Sequence, residues 1–192
     1  MDLTDIELVA LAKTGESSAP FGELARRHQA SLRAFLRRLG ADGAAADDVA
    51  QDAFLKAHAR LQTFRGGSSF RSWLYAIAWR EFLQAGRKRA ARERLDEALA
   101  GENGDRETSS PAHDASLDLR RALQDLPETE RAAVLLCDAI GMSHAEAAAA
   151  LGAPLGTIKS QILRAREKMR AALGVETPPG EERKRDGARD VV

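Results

Sequence analysis

The sequence predicts an all-α protein: two small helical domains joined by a flexible linker, the second a helix-turn-helix. Three observations predict it. Apolar residues recur at three- and four-residue steps along most of the chain, with no strand-like alternation. Aromatic residues make up only 5% of the 192 residues, so the cores rest mainly on Ala and Leu. Charge is segregated. Residues 21–92 carry 14 Lys and Arg against six Asp and Glu, residues 93–116 carry two against seven, and residues 153–173 carry five against one. A net charge of zero thus hides two cationic blocks with an acidic one between them, a pattern expected of two polyanion-facing surfaces.

The first expected domain spans 1–92. FGELARRHQASLRAFLRRLG places Phe21, Leu24, Ala25, Leu32, Phe35, Leu36 and Leu39 on one helical face and stops at Gly40. After a short ADGAAA turn, DDVAQDAFLKAHARLQTF starts a second helix with Asp47 and Asp48, where the helix dipole favours negative charge. Its buried stripe is Val49, Ala53, Phe54, Ala57 and Leu61. RGGSS reads as a loop. A third long helix follows, with Phe70, Trp73, Leu74, Ile77 and Ala78 as its apolar face and Arg87, Lys88, Arg89 and Arg92 at its basic end.

Residues 93–116 contain two glycines, a proline and a Ser/Thr cluster, and read as an acidic linker, although ERLDEALA could extend the third helix. The second expected domain spans 117–173. Pro127 suits a first helical turn, and the helix after it runs to Gly141. Ser143 and Glu146 form a capping box opening HAEAAAAL, and Gly152 and Pro154 end that helix. A last helix runs from about Leu155 to Leu173. The tail, 174–192, has no apolar periodicity and reads as disordered.

Two helices around a Gly turn make a helix-turn-helix pattern. Ile158, Ile162, Ala165 and Met169 give the last helix a packing side, while Lys159, Ser160, Gln161, Arg164 and Lys168 project elsewhere. Any solvated helix carries charges. Here the capped partner, the turn and the near absence of acids point instead to a helix that lies in a DNA groove.

Residues 125–173 carry a more specific pattern. Leu126, Pro127, Arg131, Leu135, Gly141, Ser143, Glu146, Ala147, Leu151, Gly152, Gly156, Thr157, Lys159, Ser160, Arg164, Ala165 and Arg166 match the promoter-reading region of extracytoplasmic-function (group IV) sigma factors. DDVAQDAFLKAH resembles that family's polymerase-gripping segment, and FRGGSSFRSWLYAIA its loop and helix that melt and read the downstream promoter element. Two motif sets in order cover about 150 residues, far more than one helix-turn-helix would.

The resemblance implies roles. Asp47, Asp48, Gln51, Asp52, Phe54 and Leu55 would meet the clamp helices of the largest polymerase subunit, and the second domain the flap of the second-largest subunit. Arg65, Ser68, Ser69 and Phe70 would capture a flipped nontemplate base. Arg80, Arg87, Lys88 and Arg89 would contact phosphates near the melted region. Trp73 shares a stripe with Ile77 and reads as packing. It is still carried with the downstream-element residues, as is Trp79, which could stack or wedge. Lys159, Ser160, Leu163 and Arg164 would read the upstream element, with Gln161 and Lys168 beside them and Thr157 and Arg166 on backbone. The chain departs from the family where Trp79–Arg80 and Gln84–Lys88 replace its usual Asn and Asp. That puts its downstream base preference in question.

The resemblance also implies an anti-sigma factor as partner, and a linker that runs through the RNA exit path. Two other readings remain: a helix-turn-helix regulator that needs no polymerase, and a sigma-like decoy for an anti-sigma protein. The first leaves residues 21–92 idle, and the second should have lost the basic helix.

No cofactor, metal site or catalysis is expected. His28, His58, His113 and His144 are scattered, and GAPLGTIKS lacks the ending of a phosphate loop. Cys137 is the one cysteine, which excludes an internal disulfide. No apolar run approaches the roughly 20 residues of a membrane span, and the N-terminus lacks a signal pattern. The expected location is the cytoplasm, without membrane insertion.

Overall fold

The computed structural model describes residues 3–100 and 115–175, and among these every regular element is helical. Helix α1, Asp5–Thr14, is one that periodicity alone does not announce. Thr4 accepts from the Glu7 amide while the Glu7 carboxylate accepts from the Thr4 amide, a capping box closed at Gly15. Leu8 and Val9 are buried against α2, and His28 Nε2 of α2 lies 2.6 Å from Asp5 Oδ2.

Helix α2 spans Ala19–Leu39 and buries Leu24, Leu32, Phe35, Leu36 and Leu39, the expected stripe. Each such side chain contributes about 1.5–3 kcal/mol by leaving water. Gly40 ends it at φ 110°, where a side chain would be strained and its Cβ would sit 3.1 Å from Arg131 Nη1. Helix α3, Gly43–Ala59, begins four residues before Asp47, because Asp42 accepts from the Ala45 amide and caps it. Asp47 and Asp48 therefore lie past its first turn.

Helix α4 runs Phe70–Ala100, so it takes in 93–100, the extension through ERLDEALA that the sequence allowed at the start of the expected linker. Helix α5, Ala115–Gln124, begins within the last two residues of that expected linker. The rest of the linker, and the tail beyond 175, lie outside the described residues.

Helix α6, Glu128–Val134, passes into a π-helical turn, Leu135–Ala139, in which the Ile140 amide donates to the Leu135 carbonyl. Helix α7, His144–Leu151, carries the Ser143–Glu146 capping box and ends at Gly152 with φ 65°. Helix α8 spans Leu155–Ala172 and buries Ile158, Ile162 and Ala165.

The two helical sets share one continuous core, and α7 packs on the start of α4. Arg131 of α6 ties them together. Its Nη1 donates to the Leu39 carbonyl at 2.6 Å, and its Nη2 donates to the carbonyls of Gln124 and Leu126. A cation thus satisfies carbonyls left over at the ends of α2 and α5.

Candidate nucleic-acid interface

On α8, the buried residues Ile158, Ile162 and Ala165 turn the rest of the helix outward. Thr157, Leu163, Arg164 and Lys168 are exposed; Lys159, Ser160, Gln161 and Arg166 are half-buried. The cations are not bare. Arg164 and Lys168 both bond Glu130 of α6, and Arg166 holds Asp138 with a two-point contact at 2.7 and 3.1 Å. The Ser160 hydroxyl donates back to the Thr157 carbonyl, and Gln161 Oε1 is buried without a partner among the described residues.

The downstream-element candidates divide. Arg65 and Ser69 are exposed and Ser68 is half-buried. Phe70 and Trp79 are 1% and 5% exposed, so both are core side chains here and neither is presented to a nucleic acid. Phe70 packs its ring on Trp73, Phe64 and His28, and Trp79 stacks on Phe82. Trp73 is half-buried between Phe64 and Phe70, in keeping with its packing stripe. Arg80, Arg87, Lys88 and Arg89 are exposed along α4, at spacings that keep Arg80, Arg87 and Lys88 on one side. Arg89 makes a loose contact to Glu93 at 3.9 Å.

Helix α3 presents Asp48, Gln51, Asp52 and Leu55 as an exposed row at three- and four-residue steps, with Leu55 60% exposed. Asp47 is half-buried between Arg33 and Arg37, and Phe54 packs against the core.

The first turn of α4 and Ser69 before it are held by the α5–α8 helical set. Ser69 Oγ donates to Glu146 Oε1 at 2.8 Å, and Ser72 Oγ, almost wholly buried, donates to the Glu146 carbonyl at 3.0 Å. Arg71 donates to the Ile140 carbonyl at 3.2 Å. The π-helical turn leaves this carbonyl free of its own helix. Burial alone would raise the Glu146 carboxyl. The Ser143 amide, the Ser69 and Ser143 hydroxyls and nearby Arg71 overcome that effect and hold it below its usual value.

Sequence reasoning did not single out Glu130, Asp138, Arg71 or Ser72, and it gave Glu146 only a capping role. The partners of these residues lie 28 to 74 residues away, a distance that periodicity does not reach. Helix α1 did carry a legible signal, the Thr4–Glu7 spacing of a capping box.

The fold and its cation-lined helices define a helical nucleic-acid-binding factor. Residues 24–92 match the family model for Sigma-70 region 2, and residues 116–169 that for Sigma-70, region 4. The chain is 38% identical over 149 residues to the ECF RNA polymerase sigma factor EcfG of Rhodopseudomonas palustris (strain TIE-1), covering 76% of this chain and 81% of that one. It is 36% identical over 178 residues to the ECF RNA polymerase sigma-E factor of Escherichia coli (strain K12), covering 86% and 92%. Among solved structures, it resembles the sigma factor RpoE in complex with the anti-sigma factor NepR from Bartonella quintana, with a TM-score of 0.69 and 31% identity over 82% of this chain and 98% of that one. It also resembles CnrH in complex with the cytosolic domain of CnrY, with a TM-score of 0.67 and 30% identity over 92% and 100%.

The chain belongs to the ECF RNA polymerase sigma factors. It is an alternative sigma factor that directs promoter-specific initiation of transcription, a DNA-binding initiation factor rather than a known type of enzyme. No helix among the described residues is long and apolar enough to cross a membrane.

Proposed function

We propose that residues 1–92 dock on the clamp helices of core RNA polymerase through the α3 row and read the downstream promoter element. Residues 117–173 read the upstream element through α8 and meet the polymerase flap. One observation carries this division of labour: two cation-lined helices, α4 and α8, lie in one chain with an exposed α3 row that holds no cation. Cationic rows bind phosphate through counterion release, whereas Asp48, Gln51, Asp52 and Leu55 suit a protein partner.

Reading a nontemplate strand at Ser68 and Ser69 requires α7 to leave them, because Glu146 occupies the Ser69 hydroxyl. The closed arrangement is then a resting form. Its Arg80–Lys88 row is exposed, while its strand-capturing loop is pinned to α7 at Ser69. An anti-sigma partner is part of this reading, supported by the sigma factor RpoE of similar fold captured with the anti-sigma factor NepR. The cytoplasm is the compartment in which all these partners meet.

Transcription with purified core polymerase on a random promoter library tests the proposal. The intact chain should select templates bearing two separate elements. Arg164→Ala should relax selection at the upstream element, whereas Arg80→Ala should weaken template occupancy across sequences and flatten its salt dependence. Selection of a single element, or equal effects of Arg164→Ala and the tail variant Arg183→Ala, would overturn the assignment.

A further inference from the structure

Glu130 lies on α6, apart from the residues that mark α8 as a DNA-facing helix. Its side chain is only 9% exposed, yet it sits between two cations of that helix. The two carboxylate oxygens are divided between them. Oε1 accepts from Arg164 Nε at 3.0 Å, and Oε2 accepts from Lys168 Nζ at 2.8 Å. Arg164 and Lys168 are one turn apart, so a single carboxylate on α6 spans the outer face of α8. Burial alone would raise this carboxyl. Hydrogen bonds from Lys168 and Arg164 keep it ionised, below the usual carboxylate value.

The atom of Arg164 that Glu130 takes decides the consequence. Committing Nε–H leaves the end-on edge of the guanidinium, one N–H from each terminal nitrogen, uncommitted to the carboxylate, and that edge is a donor pair that fits guanine O6 and N7. A guanidinium fixed before docking loses less side-chain freedom on docking. Lys168 is affected differently. With Glu130 alongside, the Arg164–Lys168 pair presents one net positive charge rather than two, and each cation placed on phosphate steepens the salt dependence of binding.

We infer that Glu130 is a positioning residue for promoter reading: by holding Arg164 through Nε and Lys168 through Nζ, it presets the reading surface of α8 and trims its sequence-independent grip on phosphate. This rests on α8 being the upstream-element helix. It favours base discrimination over bulk affinity, the division that separates specific from non-specific DNA binding.

The experiment uses the full chain assembled with core RNA polymerase on a promoter library randomised over the upstream element. It reads base preference at each position and the salt dependence of template occupancy. Glu130→Ala removes both tethers. It should flatten preference at one base-pair position by about fivefold or more, the lower end of what a bidentate Arg–guanine pair supplies. It should also steepen the log–log salt slope by about one unit. Glu130→Gln keeps an acceptor oxygen for Arg164 Nε but loses the charge. It should steepen the salt slope equally while keeping most of the base preference.

A purely structural role predicts something else: both variants melt at lower temperature and lose activity together, with base profile and salt slope unmoved. That result overturns the inference. Should Glu130→Ala fail to fold, the Glu130→Gln salt slope decides, and an unchanged slope overturns it. Arg164→Ala separates this inference from its premise. If Arg164→Ala flattens the profile and Glu130→Ala does not, the positioning role alone falls. If Arg164→Ala leaves the profile intact, α8 is not the reading helix and both fall.

Discussion

The exposed row on α3 and the Ser69–Ser72 segment belong to the same helical set, yet they meet the rest of the chain in opposite ways. Asp48, Gln51, Asp52 and Leu55 face outward, and none bonds another described side chain. Ser69, Arg71 and Ser72 are all bonded to α7 or the turn before it. The row proposed for polymerase stands free, whereas the loop proposed for the melted strand is exposed but tethered at Ser69, and the first turn of α4 is tied down beside it. The difference teaches where the proposed roles place a cost: docking through the α3 row would break no bond within the chain, whereas strand capture at Ser69 would break its bond to Glu146.

The largest expected effect is at the open row. Leu55→Arg should weaken binding to core polymerase by about 2 kcal/mol or more, the loss typical of an interface anchor, as measured in a pull-down titration. Its thermal stability should shift by no more than about 0.5 kcal/mol, since the side chain is exposed. Equal affinity for wild type and variant would break the comparison on the α3 side.

Ser72→Val comes next. It leaves the Glu146 carbonyl without its buried donor, which should cost the closed form about 1–2 kcal/mol. Energy transfer between dyes on α4 and α8 should drop, while affinity for polymerase is kept or gained. Dyes that stay close would mean that this bond does not hold the two sets together.

Acid should loosen the neighbouring contact, the one from the Ser69 hydroxyl to the Glu146 carboxylate. The Glu146 carboxyl is held below its usual value of 4.5, so its contribution is present above that value and fades as pH falls below it. A pH series of the same energy-transfer signal should show an acid-side loss that Glu146→Gln flattens. The smallest effect expected is from Ser69→Ala, about 0.5 kcal/mol, because its hydrogen bond is exposed. Limited proteolysis near Gly66 should then run slightly faster.

Periodicity and caps made most of the fold legible. The Leu24-to-Leu39 stripe, the Ser143–Glu146 box and the stop at Gly152 are all local signals, and the structure contains each. Errors of extent also had local causes. The chain enters α3 early because Asp42 supplies a cap within a stretch that looked like a turn, whereas α4 takes in ERLDEALA, a good helical sequence despite its acidity, as the sequence allowed. The outer face of α8 was legible as a set of residues but not as an ionic arrangement. Nothing local in TERAAV tells Glu130 that Arg164 lies across the turn. Phe70 lies on the apolar face its periodicity indicated rather than where the resemblance put it, and Trp79 is buried as well; by sequence an aromatic ring serves a stacking site or a core equally well, and only tertiary packing decides.

Arg131 gives the closed form a built-in weakness. Three of its contacts are satisfied by carbonyls, but its Nε is buried with no acceptor among the described residues. Separation of the two helical sets would surrender the bond to Leu39 and, in the same movement, let water reach that orphaned hydrogen. The fastening that joins the halves therefore carries its own partial refund on release, which keeps the closed state shallow enough for a binding partner to tip.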